Sequence, residues 1–562
     1  MLELDEVRRL TGPNLLWDKP GAIVDVLLTE ADKPEVLAHW NKWIERLLTD
    51  FGWQAQSHTY REHEHGFNFA ISAPIDALYT ACEVAELAWH CCASEVQQQA
   101  LPDWKERMRA LRAELVQEQN PLMLSIIENA GHHNVSCLFD DDELSLGMGA
   151  QQDRWPVDEL PLVDKIDWAK YQHIPCAFIT GTNGKSTCVR LASQIAKAQG
   201  ICAGVTSTDF IRVGDVIIEH GDYSGPGGAR MLLRDKRTEM AFLEVARGGI
   251  LRRGLPVHHV DAALITNVAS DHLGQYGIYT VEALAQTKFV VAKALSKDGV
   301  LVVNADNDLV VQHAKTLKNT LCWFSCGEFN SEVQQQISTG GRAVFVRSGE
   351  VYYHQNGEYQ AICNIHDIPM TLQGAASHNV QNALGVVGLC KALGLSNEAI
   401  VSGLKNFGSD ALDNPGRGNI YNINGSQVIV DFAHNEHGMK AVVDMARHMP
   451  ANKYVAMFSH AGDRSDQEIF ALTDAVLGLN AALYIPAEVE KYLRGRQPNE
   501  VSSLVQQHLM SANVPGQQIM LAASPLEGVK TALAHASPGD VVLLFVLDQR
   551  QEIHEWLSHL AD

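Results

Sequence analysis

Residues Thr180-Gly181-Thr182-Asn183-Gly184-Lys185-Ser186-Thr187 stand between an apolar run and a helical pattern that reaches Gly200. Glycines at these offsets let backbone N–H groups wrap phosphates, and a helix start adds its positive end. Lys185 is spaced to reach the β- and γ-phosphates of ATP, and the Ser186 hydroxyl to hold Mg²⁺. Thr182, Asn183, Gly184 and Thr187 complete the cradle. The spacing is shorter than the common GxxxxGK[ST] pattern, because position 179 is Ile. A plain glycine turn before a helix does not call for Lys, Ser and Thr together at these offsets.

A phosphate loop alone implies only a nucleotide. Further motifs follow in order: LEVARGG with Glu244, NVASDHLG with His272, Lys288, SHNVQNA, PGR with Arg417, DFAHN, and GDR. From about residue 170 to the C-terminus this order resembles the Mur ligase superfamily. The resemblance implies an ATP- and Mg²⁺-dependent ligase. A carboxylate attacks the γ-phosphate to give an acyl-phosphate, and an amine then displaces phosphate. Both steps gather negative charge, so the site needs cations more than an acid–base pair.

The resemblance also implies roles. Glu244 and His272 would bind one Mg²⁺, and Ser186 with Glu244 would help hold another. Lys288, on a helical pattern over Val281–Leu295, would be a carbamylated lysine; desolvation beside Phe289 and Val290 favours the neutral amine this needs. Asn379 and Asn382 share one helix face and, with His378, would lie against adenine. Arg417 would contact nucleotide phosphates on domain closure, and Asp431 and His434 would stand near the ribose and the reaction centre. Asp463 and Arg464 are candidates for gripping the incoming amino acid. Each has a plainer alternative: a solvated Glu244, a loop-bonded His272, a surface Lys288, capping asparagines, an exposed Asp463–Arg464 pair.

GDYSGP (221–226), ARMLLRD, LEVARGGILRRGL and the N-terminal RLTGPNLLW (Arg9–Trp17) are more specific. They resemble the cyanophycin synthetases, which carry an N-terminal domain, an ATP-grasp domain and a Mur-like domain. Here LGMGAQQDRW (146–155) resembles the entry to the ATP-grasp domain, yet Mur-like sequence follows directly. The resemblance therefore implies addition of a basic amino acid such as arginine to an aspartyl side chain, without the aspartate addition that the ATP-grasp site supplies. Two other functions stay open: a ligase for another peptide or small-metabolite carboxylate, and a non-catalytic partner of a full synthetase. Loss of Lys185, Glu244 or His272 would have favoured the last, and all three are present. A kinase or simple ATPase would leave PGR, DFAHN and GDR unexplained.

Three domains must position these residues, in an α/β chain of 562 residues. Residues 1–165 predict an α+β domain, with helical spacing over Val36–Leu48 and Ile75–Cys92 and a linker over Gly147–Pro161. Residues 166–412 predict a nucleotide-binding domain with a mainly parallel sheet, from apolar runs at Ile174–Thr180, Ala262–Asn267 and Val300–Asn304. A separate small side sheet is expected over Val344–Ile362. Residues 413–562 predict a Rossmann-like domain, with strands at Val428–Phe432, Tyr454–Phe458, Ala481–Ile485 and Val541–Val546.

The net charge of -23 makes nucleic acid or an anionic membrane a poor partner, and a cationic amino acid an easier one. No signal core or membrane span is evident, and 11 cysteines without CxxC pairs suggest a reducing cytoplasm. The expected partners are a small amino acid and a carboxylate or peptide acceptor, with a homo-oligomer left open. Glu62-His63-Glu64-His65 and His90-Cys91-Cys92 are expected to be structural, since consecutive side chains face apart.

Overall fold

The computed structural model describes residues 2–408 and 413–561, so the domain boundary expected at residue 412 lies outside the described residues. The N-terminal region is a four-stranded antiparallel sheet in the order Glu3–Leu10, Gly21–Leu27, Gly66–Ser72, His58–His63. Helices Lys33–Phe51 and Leu78–Val96 share a core with it, in which Trp40 stacks on Phe69 with ring centroids 4.4 Å apart. The first of these helices has Pro34 in its first turn and stops at Gly52 in the left-handed region (φ 90°), the usual chemistry of both ends. Glu62 pairs with Lys33, His63 and His65 lie against Tyr279, and Cys91 and Cys92 are buried in the core, as the structural reading of these clusters required.

The central sheet has eleven strands. Its parallel heart runs Ala203–Thr206, Met240–Glu244, Cys176–Thr180, Val260–Ile265, Leu295–Asn304, Thr320–Ser325, Arg342–Arg347. The hairpin Phe210–Val213 and Val216–His220 extends one edge antiparallel, and Glu350–Gln355 and Glu358–Asn364 extend the other. The expected side sheet is thus a continuation of the main one, because Arg342–Arg347 pairs in parallel with Thr320–Ser325 and carries the antiparallel strands with it. The expected linker is also different. Asp153–Pro156 pairs with Glu143–Leu146 in a three-stranded sheet, so its Gly-rich stretch is the turn between two strands. The helix expected to reach Leu295 ends at Phe289, tightens into a 3-10 turn, and gives way to the strand that starts at Leu295.

The C-terminal sheet has the order Arg417–Ile423, Ser426–Asp431, Val541–Phe545, Tyr454–Phe458, Leu483–Pro486, parallel except for the first strand. Helices pack on it in the Rossmann-like manner expected. Among the described residues no helix is long and apolar enough to cross a membrane.

Candidate active site

A cavity of about 820 Å³ opens between the central and C-terminal domains, at the C-terminal ends of the central strands. Strand Cys176–Thr180 delivers the chain to Gly181 (φ 149°), and Gly184 (φ 88°) precedes helix Lys185–Ala198. A Cβ on Gly181 would lie 1.9 Å from Thr266 Oγ1, and one on Gly184 would lie 2.2 Å from Asn382 Oδ1, so both positions require glycine. Two bonds from the end of the neighbouring strand fix the loop. Thr182 N donates to Asn267 O (2.9 Å), and Asn183 N to Asn267 Oδ1 (2.9 Å).

Two amines meet at one carbonyl. Lys185 Nζ donates to Gly181 O (3.1 Å) and Thr182 O (3.0 Å), and Lys288 Nζ also donates to Gly181 O (2.8 Å). Lys288 is 4% exposed. Burial first, and then repulsion from Lys185, holds its amine well below the ordinary lysine range. It is not the surface lysine of the plainer alternative.

Glu244 ends strand Met240–Glu244 and is 2% exposed. Both carboxylate oxygens lack a hydrogen-bond partner among the described residues. Burial raises its pKa, and Lys185 and Arg417 oppose the rise. A buried, unpartnered carboxylate beside a phosphate loop suits a hard divalent cation.

A second donor set joins Asp271, His272 and His434, whose ligand atoms all lie within 4.8 Å of one another. His272 adopts φ 49°, a left-handed conformation, and this lets adjacent side chains converge instead of facing apart. His434 Nδ1 lies 3.0 Å from Phe432 O, and desolvation holds this imidazole down to about 4, so it is a neutral ligand at neutral pH. Carboxylate and imidazole donors fit a divalent metal. Asp271 and His434 are thus close partners of His272.

Helix Ser377–Ala392 presents Asn379 and Asn382, both buried. Asn379 Nδ2 donates to Met370 O (2.9 Å), and Asn382 Nδ2 to Asn379 Oδ1 (3.2 Å), which leaves Asn382 against the phosphate loop. His378 is enclosed nearby, and burial lowers it to about 4.

Asp209 gathers three arginines. Arg190 Nη2 donates to it at 2.5 Å, Arg417 Nη2 at 3.4 Å and Arg550 Nη1 at 3.2 Å. Arg417 and Arg550 come from the C-terminal domain, and both guanidinium groups lie over the Phe432 ring. Arg417 also reaches Thr208 Oγ1 (3.5 Å), which is 3.3 Å from Ser186 Oγ. Burial would raise the Asp209 carboxyl, but the arginines outweigh it and hold it down to about 2. The neighbouring Asp431 is raised to about 6 by burial.

The domains also meet at Asn183. Its Nδ2 donates to Asn435 Oδ1 (3.1 Å), and Asn435 Nδ2 donates back to Asn183 Oδ1 (2.9 Å). Asp463 and Arg464 line the cavity without pairing with each other. Asp463 binds Arg494 Nη1 at 2.5 Å, while Arg464 Nη2 donates to His434 O (2.8 Å) and lies 3.6 Å from Asp271. Arg247 and Arg252, from helix Arg247–Arg253, form another cationic part of the wall. Sequence reasoning singled out none of Asp209, Asp271, Asn267, Arg247, Arg252, Arg494 or Arg550. Asn267, Asp271, Arg247 and Arg252 stood inside quoted motifs and were within reach.

Residues 179–390 match the family model of the Mur ligase middle domain, and residues 416–545 that of the Mur ligase glutamate ligase domain. The cyanophycin synthetase of Geminocystis herdmanii is 32% identical over 372 residues, covering 66% of this chain and 42% of that protein. That of Synechocystis sp. is 33% identical over 372 residues, with the same coverage of 66% and 42%. The chain therefore spans 42% of the length of these relatives. Among solved structures, E. coli FolC in complex with DHPP and ADP is 17% identical with a TM-score of 0.50, covering 68% of this chain and 89% of that one. This likeness concerns the fold.

Proposed function

Because the chain belongs to the Mur ligase family, we propose that it joins a carboxylate to an amine with cleavage of ATP to ADP and phosphate. The convergence of Lys185, Glu244, Lys288 and the Asp271–His272–His434 group on one interdomain cavity carries this reading. The carboxylate oxygen attacks the γ-phosphorus and ADP leaves. The amine nitrogen then attacks the acyl carbon, phosphate leaves, and the amine proton passes to solvent. Lys185 neutralises the transferring phosphoryl group, and the loop glycines orient it. Glu244, with Ser186, and the Asp271 group would hold Mg²⁺, which supplies charge neutralisation on the phosphate oxygens. Arg417 adds positive charge from the C-terminal domain and thereby couples the chemistry to closure. Asn379 and Asn382 would stand on the nucleotide's base side and Asp431 on its ribose side.

The finer reading is that arginine or a similar basic amino acid is added to an aspartyl side-chain carboxylate. It rests on the likeness to cyanophycin synthetases and on the net charge of -23, which favours a cationic amine. Asp463, Arg464 and Glu468 line the C-terminal side of the cavity, where the amino acid would sit. Arg247 and Arg252 suit the acidic acceptor. The test is ADP release with short aspartyl peptides, each common amino acid being offered as the amine. Release stimulated by arginine or lysine only when the peptide is present is expected. Turnover on glutamyl or non-peptide acids alone would reject this substrate and leave the ligase chemistry standing. No release with any pair would reject the ligase.

Lys288 is read as the carbamylated lysine of the site. Carbon dioxide reacts with a neutral amine, and burial shifts this amine towards its neutral form. Incubation with ¹³C-bicarbonate near neutral pH should give a carbamate resonance that Lys288→Ala abolishes. Activity should fall in that variant by about 10²-fold, the scale of losing one organising group. An unmodified amine together with full activity in Lys288→Ala would refute the assignment.

A further inference from the structure

Helix Arg247–Arg253 carries two of the cavity's arginines, yet little in its own sequence holds it. It is seven residues long, contains Gly248 and Gly249, and ends at Gly254. So short a helix with two glycines is unstable alone. The loop that follows the metal-type group is no firmer: His272 (φ 49°), Gly274 (φ 92°), Tyr276 (φ 56°) and Gly277 (φ 74°) all stand in the left-handed region. Arg247 joins the two segments through Gln275 Oε1 (2.8 Å).

The N-terminal domain holds both. Thr11 N donates to Arg253 O (2.8 Å), and Leu255 N to Pro13 O (2.7 Å). The two backbones touch so closely that a Cβ on Gly12 would lie 2.3 Å from Leu255 O, and one on Gly254 would lie 2.4 Å from Gly12 O. Thus RLTGPNLLW docks physically on LRRGL. Beside this seam Arg8, 3% exposed, bonds Asp25 and the Leu251 carbonyl at once and lies over the Tyr276 ring, 4.7 Å from its centroid. Asn68 Nδ2 donates to the other Asp25 oxygen (2.8 Å), and Arg61 Nη1 donates to Gly277 O (3.0 Å). No described side chain of the N-terminal domain lines the cavity.

We propose that the N-terminal domain is a brace for the acceptor side of the active site, with Arg8 as the positioning residue that fixes helix Arg247–Arg253 and the loop around Tyr276. The assignment of that side to the acceptor rests on the ligase reading above; the brace itself rests on the contacts. A planar guanidinium bridges the carboxylate and the carbonyl from two separate nitrogens while its face lies on the ring, a span and a plane that the single nitrogen of an ammonium does not offer.

Arg8→Lys keeps the charge facing Asp25 and removes the bridge. Hydrogen exchange should accelerate by about tenfold or more over residues 247–255 and 272–279, and stay unchanged over the phosphate-loop helix 185–198. With aspartyl peptide and arginine as the probe, KM for the peptide should rise by about tenfold while KM for ATP holds, the mark of weakened acceptor binding. Tyr276→Leu removes the ring without entering the N-terminal core, and should give the same pattern if Arg8→Lys proves unstable. Unchanged exchange over 247–255 in both variants would overturn the brace, as would an equal rise over 185–198. Exchange needs no turnover, so a chain that releases no ADP with any substrate would sink the ligase reading and leave this test intact.

Discussion

Lys185→Ala is expected to lower ADP release by about 10²–10³-fold, the effect of removing one preorganised charge from a phosphoryl-transfer site. Among the described residues its amine bonds the carbonyls of Gly181 and Thr182, while Thr266 and Asn267 hold the loop from the other side. Circular dichroism and the thermal midpoint should therefore stay close to wild type. The variant also removes the charge that, after burial, lowers the Lys288 amine, so carbamylation of Lys288 should weaken with it. Wild-type turnover in a folded Lys185→Ala protein would end the ligase reading.

Asp209→Ala should be the most destabilising single change near the site. Arg190 is 1% exposed, and Asp209 provides its charged partner. Removing one member of a buried pair costs about 3–5 kcal/mol, because the other charge stays buried. The same change releases Arg417 and Arg550, so kcat should fall more than affinity for ATP, as expected for contacts made on closure. The acid dependence follows from the carboxyl's depressed value. An aspartate at about 3.9 unfolded and about 2 folded contributes roughly 2.5 kcal/mol, fully present above pH 4 and lost as pH falls through 2. Denaturant titrations at pH 6 and pH 2.5 would read both effects. An Asp209→Asn protein as stable as wild type at pH 6, with unchanged kcat, would show that the cluster holds nothing together.

The phosphate loop was legible because strand, glycines, Lys and helix are contiguous in sequence, and each local signal agrees with the others. The later motifs were legible through their resemblance, in order, to the Mur ligase family. What escaped was non-local or broke a local rule. Asp209 meets Arg417 and Arg550 across 208 and 341 residues, and nothing in TSTDF signals an ion pair with either. Asp271 was quoted inside NVASDHLG without a role, since neighbouring side chains diverge on helix and strand and nothing local signals the left-handed backbone at His272. Strands Glu350–Gln355 and Glu358–Asn364 looked self-contained because their turns are local, whereas the pairing that joins Arg342–Arg347 to the main sheet is set by the whole stack of strands. The Asp153–Pro156 strand is four residues long and mostly polar outward, too short for an alternation to stand out.

The reciprocal amide pair between Asn183 and Asn435 has a consequence for how such a chain can change over generations. One asparagine belongs to the phosphate loop, and the other, besides facing it, caps helix Glu436–Arg447 by accepting from Gly438 N at 2.9 Å. Across the domain boundary each amide gives one bond to the other and receives one from it, so neither letter can drift alone. Aspartate on either side would set oxygen against oxygen, and glutamine would be one methylene too long for the gap. Two motifs separated by 252 residues are therefore inherited as a single word. A lineage that rewrites it must pass through a half-word that leaves one amide unanswered between the domains.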